Sequence, residues 1–132
     1  MDIIKKVKEL NLPEGSYIVE GSGVMAGLRI REARDIDLVV SPEVYVRLKE
    51  DGGWEEKTLG DINFLAKDIY EIWLTWNSKD NEPNLKELLK GAHIIDGVTF
   101  VNIKRLLEWK ERRRLEKDIN DIELIKKYLA ND

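Results

Sequence analysis

A Gly21-Ser22 turn and an acidic strand that begins at residue 35, separated by twelve residues, most constrain how this chain can fold. Residues 17–19 are typical of a β-strand and run into Gly21-Ser22-Gly23, and the apolar segment 24–28 predicts a short helix. A second strand is expected at 35–40, where two aspartates alternate with apolar residues. This order of strand, turn, helix and strand predicts an α/β domain.

The two aspartates of the second strand indicate a metal site. Side chains at positions i and i+2 of a strand point to the same face, so Asp35 and Asp37 project two carboxylates into one small volume. Repulsion and desolvation push one of them toward protonation unless a hard divalent cation lies between them, and Mg²⁺ is the natural occupant. At Gly21 and Ser22 the backbone is open to close approach, which suits a phosphate group.

The segment GSGVMAGLRIREARDIDLVV, residues 21–40, resembles the nucleotidyltransferase superfamily that includes DNA polymerase β. The mark of that superfamily is a strand, Gly-Ser or Gly-Gly, a short helix, and Asp-x-Asp on the next strand. The resemblance implies a mixed β-sheet flanked by helices. It also implies Mg²⁺-dependent transfer of a nucleoside monophosphate from a nucleoside triphosphate to a hydroxyl acceptor, with release of pyrophosphate. The alternative is a surface turn beside an edge strand with two solvated aspartates.

The resemblance to this superfamily also implies a third carboxylate on a neighbouring strand, flanked by apolar residues. The apolar-flanked segment 69–73 has the required form, and by strand alternation Ile69, Glu71 and Trp73 share one face. Glu71 is therefore the predicted third metal ligand and catalytic carboxylate, together with Asp35 and Asp37. The alternative is a solvated position at the margin of the sheet. Asp61 and Asp68 are weaker candidates, because both lie in predicted turns where aspartate is favoured for local hydrogen bonding.

The C-terminal part of the chain predicts one long helix, capped by Asn102. Lys110, Arg114, Lys117 and Asp121 follow one stripe of this helix, separate from an apolar stripe. The apolar stripe comprises Ile103, Leu106, Leu107, Leu115, Ile119, Ile122, Ile125 and Leu129.

The segment WKERRRLEKDINDIELI, residues 109–125, also resembles the C-terminal helix of small nucleotidyltransferase-like proteins. By that resemblance Lys110 and Lys117 are expected to contact the nucleotide. Asp118 and Asp121 align with the two aspartates of the family's helix. Arg114 stands one residue earlier than the family's arginine, whose position Leu115 takes. The alternative is a solvated helix face with ion pairs between neighbouring turns.

Composition favours one domain spanning residues 1–132. A hydrophobic content of 42% is enough for one core, and a net charge of −4 argues against a surface that grips nucleic acid throughout. The chain has no cysteine, its N-terminus meets charge too early for a signal peptide, and no apolar run approaches the length of a membrane span. We therefore expect a cytoplasmic protein. The single histidine, His93, cannot build a zinc site, and Trp76 is a candidate for stacking on a base.

Two classes of function follow from these observations. The first is the Mg²⁺-dependent nucleotidyltransferase, whose acceptor is a small molecule, a protein hydroxyl or an RNA end. The second is a non-catalytic nucleotide- or partner-binding module of the same fold, for example one half of a toxin–antitoxin pair. The chain is short and leaves little room for an acceptor domain, which a tightly bound partner protein would supply.

Overall fold

The structure is a computed structural model, and it describes residues 1–75 and 83–131. The described residues form six helices and seven strands. In chain order these are α1 (Ile3–Lys8), β1 (Tyr17–Glu20), α2 (Ser22–Gly27), β2 (Ile36–Val40), α3 (Pro42–Asp51), β3 (Glu55–Leu59), β4 (Ile62–Lys67), β5 (Tyr70–Trp73), α4 (Leu85–Leu88), β6 (His93–Ile95), β7 (Val98–Phe100), α5 (Ile103–Arg113) and α6 (Glu116–Ala130).

The described strands form a single mixed sheet in the order β3-β4-β5-β2-β1-β7-β6. The central strands β2 and β1 are antiparallel to each other, while β5 is parallel to β2 and β7 is parallel to β1. The outer pairs β3–β4, β4–β5 and β6–β7 are antiparallel. The predicted mixed sheet flanked by helices, with a C-terminal helix, is therefore confirmed.

The core lies at the centre of this sheet. All four residues of β1 are buried, and in β2 only Asp37 is partly exposed, so both faces of these strands are covered by the rest of the chain. By contrast, every residue of β3 is exposed at the sheet edge. A strand buried on both faces holds its backbone rigidly, which makes the ends of β1 and β2 suitable for positioning functional side chains.

Local sequence signals account for several element boundaries. The Ser41 hydroxyl accepts a hydrogen bond from the backbone N–H of Val44 at 3.3 Å and caps α3. Asn102 caps α5 by accepting from the Lys104 N–H at 2.8 Å. Asp96 and Gly97, with φ of 50° and 83°, form the two-residue turn between β6 and β7 that their sequence predicts.

The expectation of one continuous helix from Asn102 to the C-terminus is wrong. Arg114 adopts the left-handed conformation, with φ 46° and ψ 43°, and Leu115 is extended, so the chain changes direction before α6 begins. Because of this break the predicted apolar stripe does not continue across it. Leu115 and Ile119 are 44% and 51% exposed, whereas Ile122 and Ile125 are buried.

Two further expectations concern the segment around the fifth strand. The segment 69–73, expected to be the strand that carries Glu71, forms β5 over Tyr70–Trp73. Trp76, the candidate for base stacking, lies outside the described residues.

In the part of the chain that the structure describes, no helix combines the length and the apolar character that crossing a membrane requires.

Candidate active site

Three carboxylates lie side by side on neighbouring strands at one end of the central sheet. Glu20, the last residue of β1, pairs in register with Asp37 of β2, and Asp37 pairs in turn with Glu71 of β5. Residues paired in this way point to the same face of a sheet. All three line a cavity of about 220 Å³ that is bounded on its other side by α5 and α6.

Asp37 is the most perturbed of these carboxylates. Burial, followed by the neighbouring carboxyl of Glu71 and the charge of Asp35, raises the pKa of Asp37 to about 8, while the indole of Trp73 acts in the opposite direction. Within residues 1–75 and 83–131, the Asp37 Oδ1 atom is buried and has no hydrogen-bond partner. An anionic pair in such a place needs either a proton or a cation.

The turn at Gly21 brings the backbone directly against this pair. Gly21 has φ +62°, a conformation that residues with side chains rarely adopt, and a Cβ atom at this position would lie 3.3 Å from the Oδ2 atom of Asp37. Gly21 and Ser22 both line the cavity. The geometry of the turn therefore keeps the space beside Asp37 open.

The opposite wall of the cavity is cationic and is contributed by Lys110, Arg113 and Lys117. Lys110 is only 5% exposed, and its Nζ atom lies 3.3 Å from Asp118 Oδ1 and 3.2 Å from Asp121 Oδ2. Lys117 is exposed at the start of α6. Both lysines predicted from the sequence are thus brought to the cavity, although one is buried in ion pairs rather than placed on a solvated face.

Arg113 is the arginine that reaches the site. Its Nε atom donates to Asp118 Oδ2 at 2.8 Å, its Nη2 atom donates to Asp118 Oδ1 at 2.5 Å, and its guanidinium lies 3.8 Å from the centre of the Trp109 ring. Burial would raise the pKa of Asp118, but Arg113 and Lys110 outweigh burial and lower it to about 2. A carboxylate this strongly paired stays ionised across the physiological range.

A second ion pair ties this wall to the chain between α2 and β2. Arg31 donates from Nε and Nη2 to the two oxygens of Asp121, at 2.7 and 2.9 Å. Burial would raise the pKa of Asp121, and the pairing with Arg31 and Lys110 lowers it instead. The contacts among Arg31, Asp121, Lys110, Asp118 and Arg113 form one network, which holds α5 and α6 in place beside the carboxylates.

The structure brings most of the predicted site residues together. Asp37 and Glu71 are neighbours at the floor of the cavity, with Gly21 and Ser22 beside them and Lys110 and Lys117 opposite. The two other candidates for the third carboxylate, Asp61 and Asp68, are exposed turn residues.

Asp35 and Arg114 occupy different places from those expected. Asp35 stands one residue before β2, is exposed, and does not belong to the described residues that line the cavity. Arg114 is exposed at the break between α5 and α6. Among the described residues, no three His, Cys, Asp or Glu side chains are gathered closely enough to hold a metal ion by themselves.

Sequence reasoning missed Glu20, Arg113 and the lining tryptophans Trp73 and Trp109. An acidic residue that ends an apolar strand directly before the glycine turn is a signal for Glu20, but only strand pairing places it beside Asp37. No sequence signal selects Arg113 from the three consecutive arginines at 112–114, because the choice depends on where α5 ends.

Comparison with known proteins adds one similarity. No family model matches the chain, and no curated protein sequence matches it. Among solved structures, the chain is similar to the crystal structure of ANT(2'')-Ia in complex with adenylyl-2''-tobramycin, with a TM-score of 0.56. The chain has a nucleotidyltransferase-like fold. The similarity covers 96% of this chain and 85% of that one at 18% sequence identity, and at this identity it establishes the fold alone.

Proposed function

We propose that this nucleotidyltransferase-like chain is a Mg²⁺-dependent enzyme that transfers a nucleoside monophosphate from a nucleoside triphosphate to a hydroxyl acceptor. The acceptor oxygen forms a bond to the α-phosphorus, the bond between the α- and β-phosphates breaks, and pyrophosphate leaves. One observation carries the proposal. The carboxyl pair of Asp37 and Glu71 lies at the floor of a cavity whose opposite wall is cationic, on the fold of a nucleotidyltransferase.

The residues present fit a magnesium ion. The buried oxygen of Asp37 without a hydrogen-bond partner and the adjacent carboxyl of Glu71 are hard oxygen ligands. Mg²⁺ in proteins is usually held by one or two carboxylates together with substrate phosphates. The two carboxylates of Asp37 and Glu71 are therefore enough, and a cluster of three protein ligands is not required. When bound, the ion would polarise the phosphate oxygens and lower the pKa of the acceptor hydroxyl. Asp35 lies outside the lining of the cavity and would contribute a negative charge next to Asp37.

The remaining residues of the cavity supply positioning and charge. At Gly21 and Ser22 the backbone can approach a phosphate closely, since the glycine leaves the space beside Asp37 open. Lys110, Arg113 and Lys117 face the position of the triphosphate and offset the charge that develops on the leaving pyrophosphate. Lys110 and Arg113 are already held by ion pairs. Little side-chain conformational entropy is therefore lost when the anion binds.

The acceptor is identified by testing three classes of molecule: small molecules, protein hydroxyls and RNA ends. Each of the four nucleoside triphosphates, labelled at the α-phosphate, is incubated with the protein, Mg²⁺ and separate pools of these three acceptor classes. ATP and small molecules are tried first, because the structurally similar protein was crystallised with an adenylylated small molecule. We expect labelled acceptor and released pyrophosphate, both lost when Mg²⁺ is chelated.

Glu71→Gln separates chemistry from binding. We expect this variant to bind the nucleotide with Mg²⁺, since Asp37 and the phosphates still hold the ion, but to lose transfer. Glu55→Gln is the matched control, because Glu55 is exposed on the edge strand β3. Transfer by Glu71→Gln at the native rate would remove Glu71 from the mechanism. If the native chain binds nucleotide and labels none of the pools, the enzyme proposal fails in favour of the binding module.

A further inference from the structure

The indole N–H of Trp73 is a buried donor that the proposed chemistry does not use. Trp73 is 7% exposed, its Nε1 atom is buried, and among the described residues this atom has no hydrogen-bond partner. Trp73 lies on β5 two residues after Glu71 and lines the same cavity. A buried donor without an acceptor is costly, and natural proteins rarely keep one without a role.

The carboxylate of Asp37 is a hydrogen-bond acceptor close to this donor. Trp73 pairs in register with Val39 and Glu71 with Asp37, so all four side chains lie on one face of the β2–β5 pair. The indole N–H lies within hydrogen-bonding reach of the Asp37 carboxyl and acts to lower its pKa, although the two groups do not meet the geometry of a full hydrogen bond. Within residues 1–75 and 83–131, both the donor and the Asp37 Oδ1 acceptor are buried and have no hydrogen-bond partner.

The Trp73 ring is held in this position by packing. It stacks on Phe64 of β4 with ring centres 4.2 Å apart and an angle of 13° between the ring planes. A stacked ring has little freedom to turn its N–H away. The edge of the ring that carries the N–H therefore remains beside the carboxylates, while a face of the ring packs against Phe64.

We propose that Trp73 is a positioning residue, whose indole N–H donates to the Asp37 carboxylate and orients that carboxylate for the divalent cation. The inference rests on the metal site of the proposed function. Carboxylates that bind metals are themselves hydrogen-bonded by groups behind them, and loss of such a group typically weakens metal affinity 10- to 100-fold. The same N–H stabilises the ionised form of Asp37, which is the form that binds a cation.

Trp73→Phe tests the donor while keeping an aromatic ring against Phe64. Mg²⁺ affinity is measured by calorimetry for the native chain, Trp73→Phe and Trp54→Phe. Trp54 packs near Tyr70 and outside the lining of the cavity, so its variant controls for the loss of a tryptophan. We expect Trp73→Phe to bind Mg²⁺ about 10-fold more weakly or worse, and Trp54→Phe to bind like the native chain.

A spectroscopic measurement on the folded native chain keeps the test independent of how well the variant folds. The indole N–H resonance of Trp73 is identified by its absence in Trp73→Phe, and it is followed during titration with Mg²⁺. We expect it to shift on saturation in the native chain and to stay unchanged in Asp37→Asn.

The outcomes separate this inference from the proposed function. Native Mg²⁺ affinity in Trp73→Phe, or an unmoved Trp73 resonance at saturating Mg²⁺, would overturn the role of Trp73 alone. If the native chain binds no Mg²⁺, either alone or with a nucleoside triphosphate present, both proposals fail. If Mg²⁺ affinity and the Trp73 resonance change as expected but no nucleotidyl transfer is detected, the role of Trp73 is supported and only the proposed enzymatic activity is refuted.

Discussion

Replacing Asp37 by Asn should stabilise the metal-free protein, and the gain should grow with pH. Asp37 is buried beside Glu71, and its pKa in the fold is raised from 3.8 to about 8. In the unfolded chain the carboxyl is ionised above about pH 4. Between these two pKa values the folded state binds more protons than the unfolded state, so the free energy of unfolding falls as the pH rises.

The magnitude follows from the width of this window. Each pH unit between about 4 and about 8 lowers the stability of the native chain by about 1.4 kcal/mol. At pH 7, about three units above the ordinary pKa, the cost is about 4 kcal/mol, a large part of the 5–15 kcal/mol that stabilises a typical domain. Asn has nearly the shape of the protonated carboxyl and carries no such cost. The difference in stability should therefore be small near pH 4 and reach its maximum near pH 8.

Urea unfolding in the presence of EDTA, at unit intervals from pH 4 to pH 8, measures this difference for Asp37→Asn. Asp61→Asn is the matched control, since Asp61 is exposed in a turn, and its difference from the native chain should stay within about 0.5 kcal/mol. A difference for Asp37→Asn that does not change with pH would refute the reasoning, because it would mean that Asp37 titrates alike in both states. With saturating Mg²⁺ the native chain should recover stability as the pH rises, whereas Asp37→Asn should not.

Three further predictions address the turn and the cationic wall. In Gly21→Ala and Gly60→Ala, alanine must adopt the same strained φ of +62°, which costs roughly 1–3 kcal/mol of stability in each variant. Only Gly21→Ala places a Cβ atom against the Asp37 carboxylate, so nucleotide affinity should fall in that variant alone. Asp118→Asn should lower the free energy of unfolding by about 3 kcal/mol at pH 7, and the difference should shrink as the pH falls from about 4 towards about 2, where the depressed pKa of Asp118 is reached. Arg113→Gln should weaken triphosphate binding, measured by calorimetry, about 10-fold or more, as expected for a charged hydrogen-bond donor, while Arg114→Gln should not. Equal effects of the two substitutions would contradict the selection of Arg113 as the arginine that contacts the nucleotide.

The elements that the sequence predicts well are those decided by near neighbours along the chain. The turn at Gly21, the hairpin at Asp96 and Gly97, and the caps at Ser41 and Asn102 each depend on the conformational preferences of two to five consecutive residues. The alternation that places Glu71 and Trp73 on one face is equally local. For these features the residue types alone carry the information, and the structure agrees with them.

The composition of the site was decided by contacts between residues far apart in the chain. Glu20 and Glu71 flank Asp37 only because β1 and β5 pair with β2 in one particular register, and a shift of one residue would turn each side chain to the other face. Asp35, two positions from Asp37, stays outside the cavity because β2 begins after it.

The same holds for the cationic wall. Residues 103–129 have a periodicity that predicts one helix, yet the left-handed conformation of Arg114 ends α5 and redirects the chain. That break exposes Leu115, lets Arg113 reach Asp118, and brings Lys110 into contact with Asp118 and Asp121. Helical periodicity reports which residues share a face, but the end of a helix and the partner of a buried charge depend on the free energy of the whole packed arrangement, which the tertiary structure alone determines.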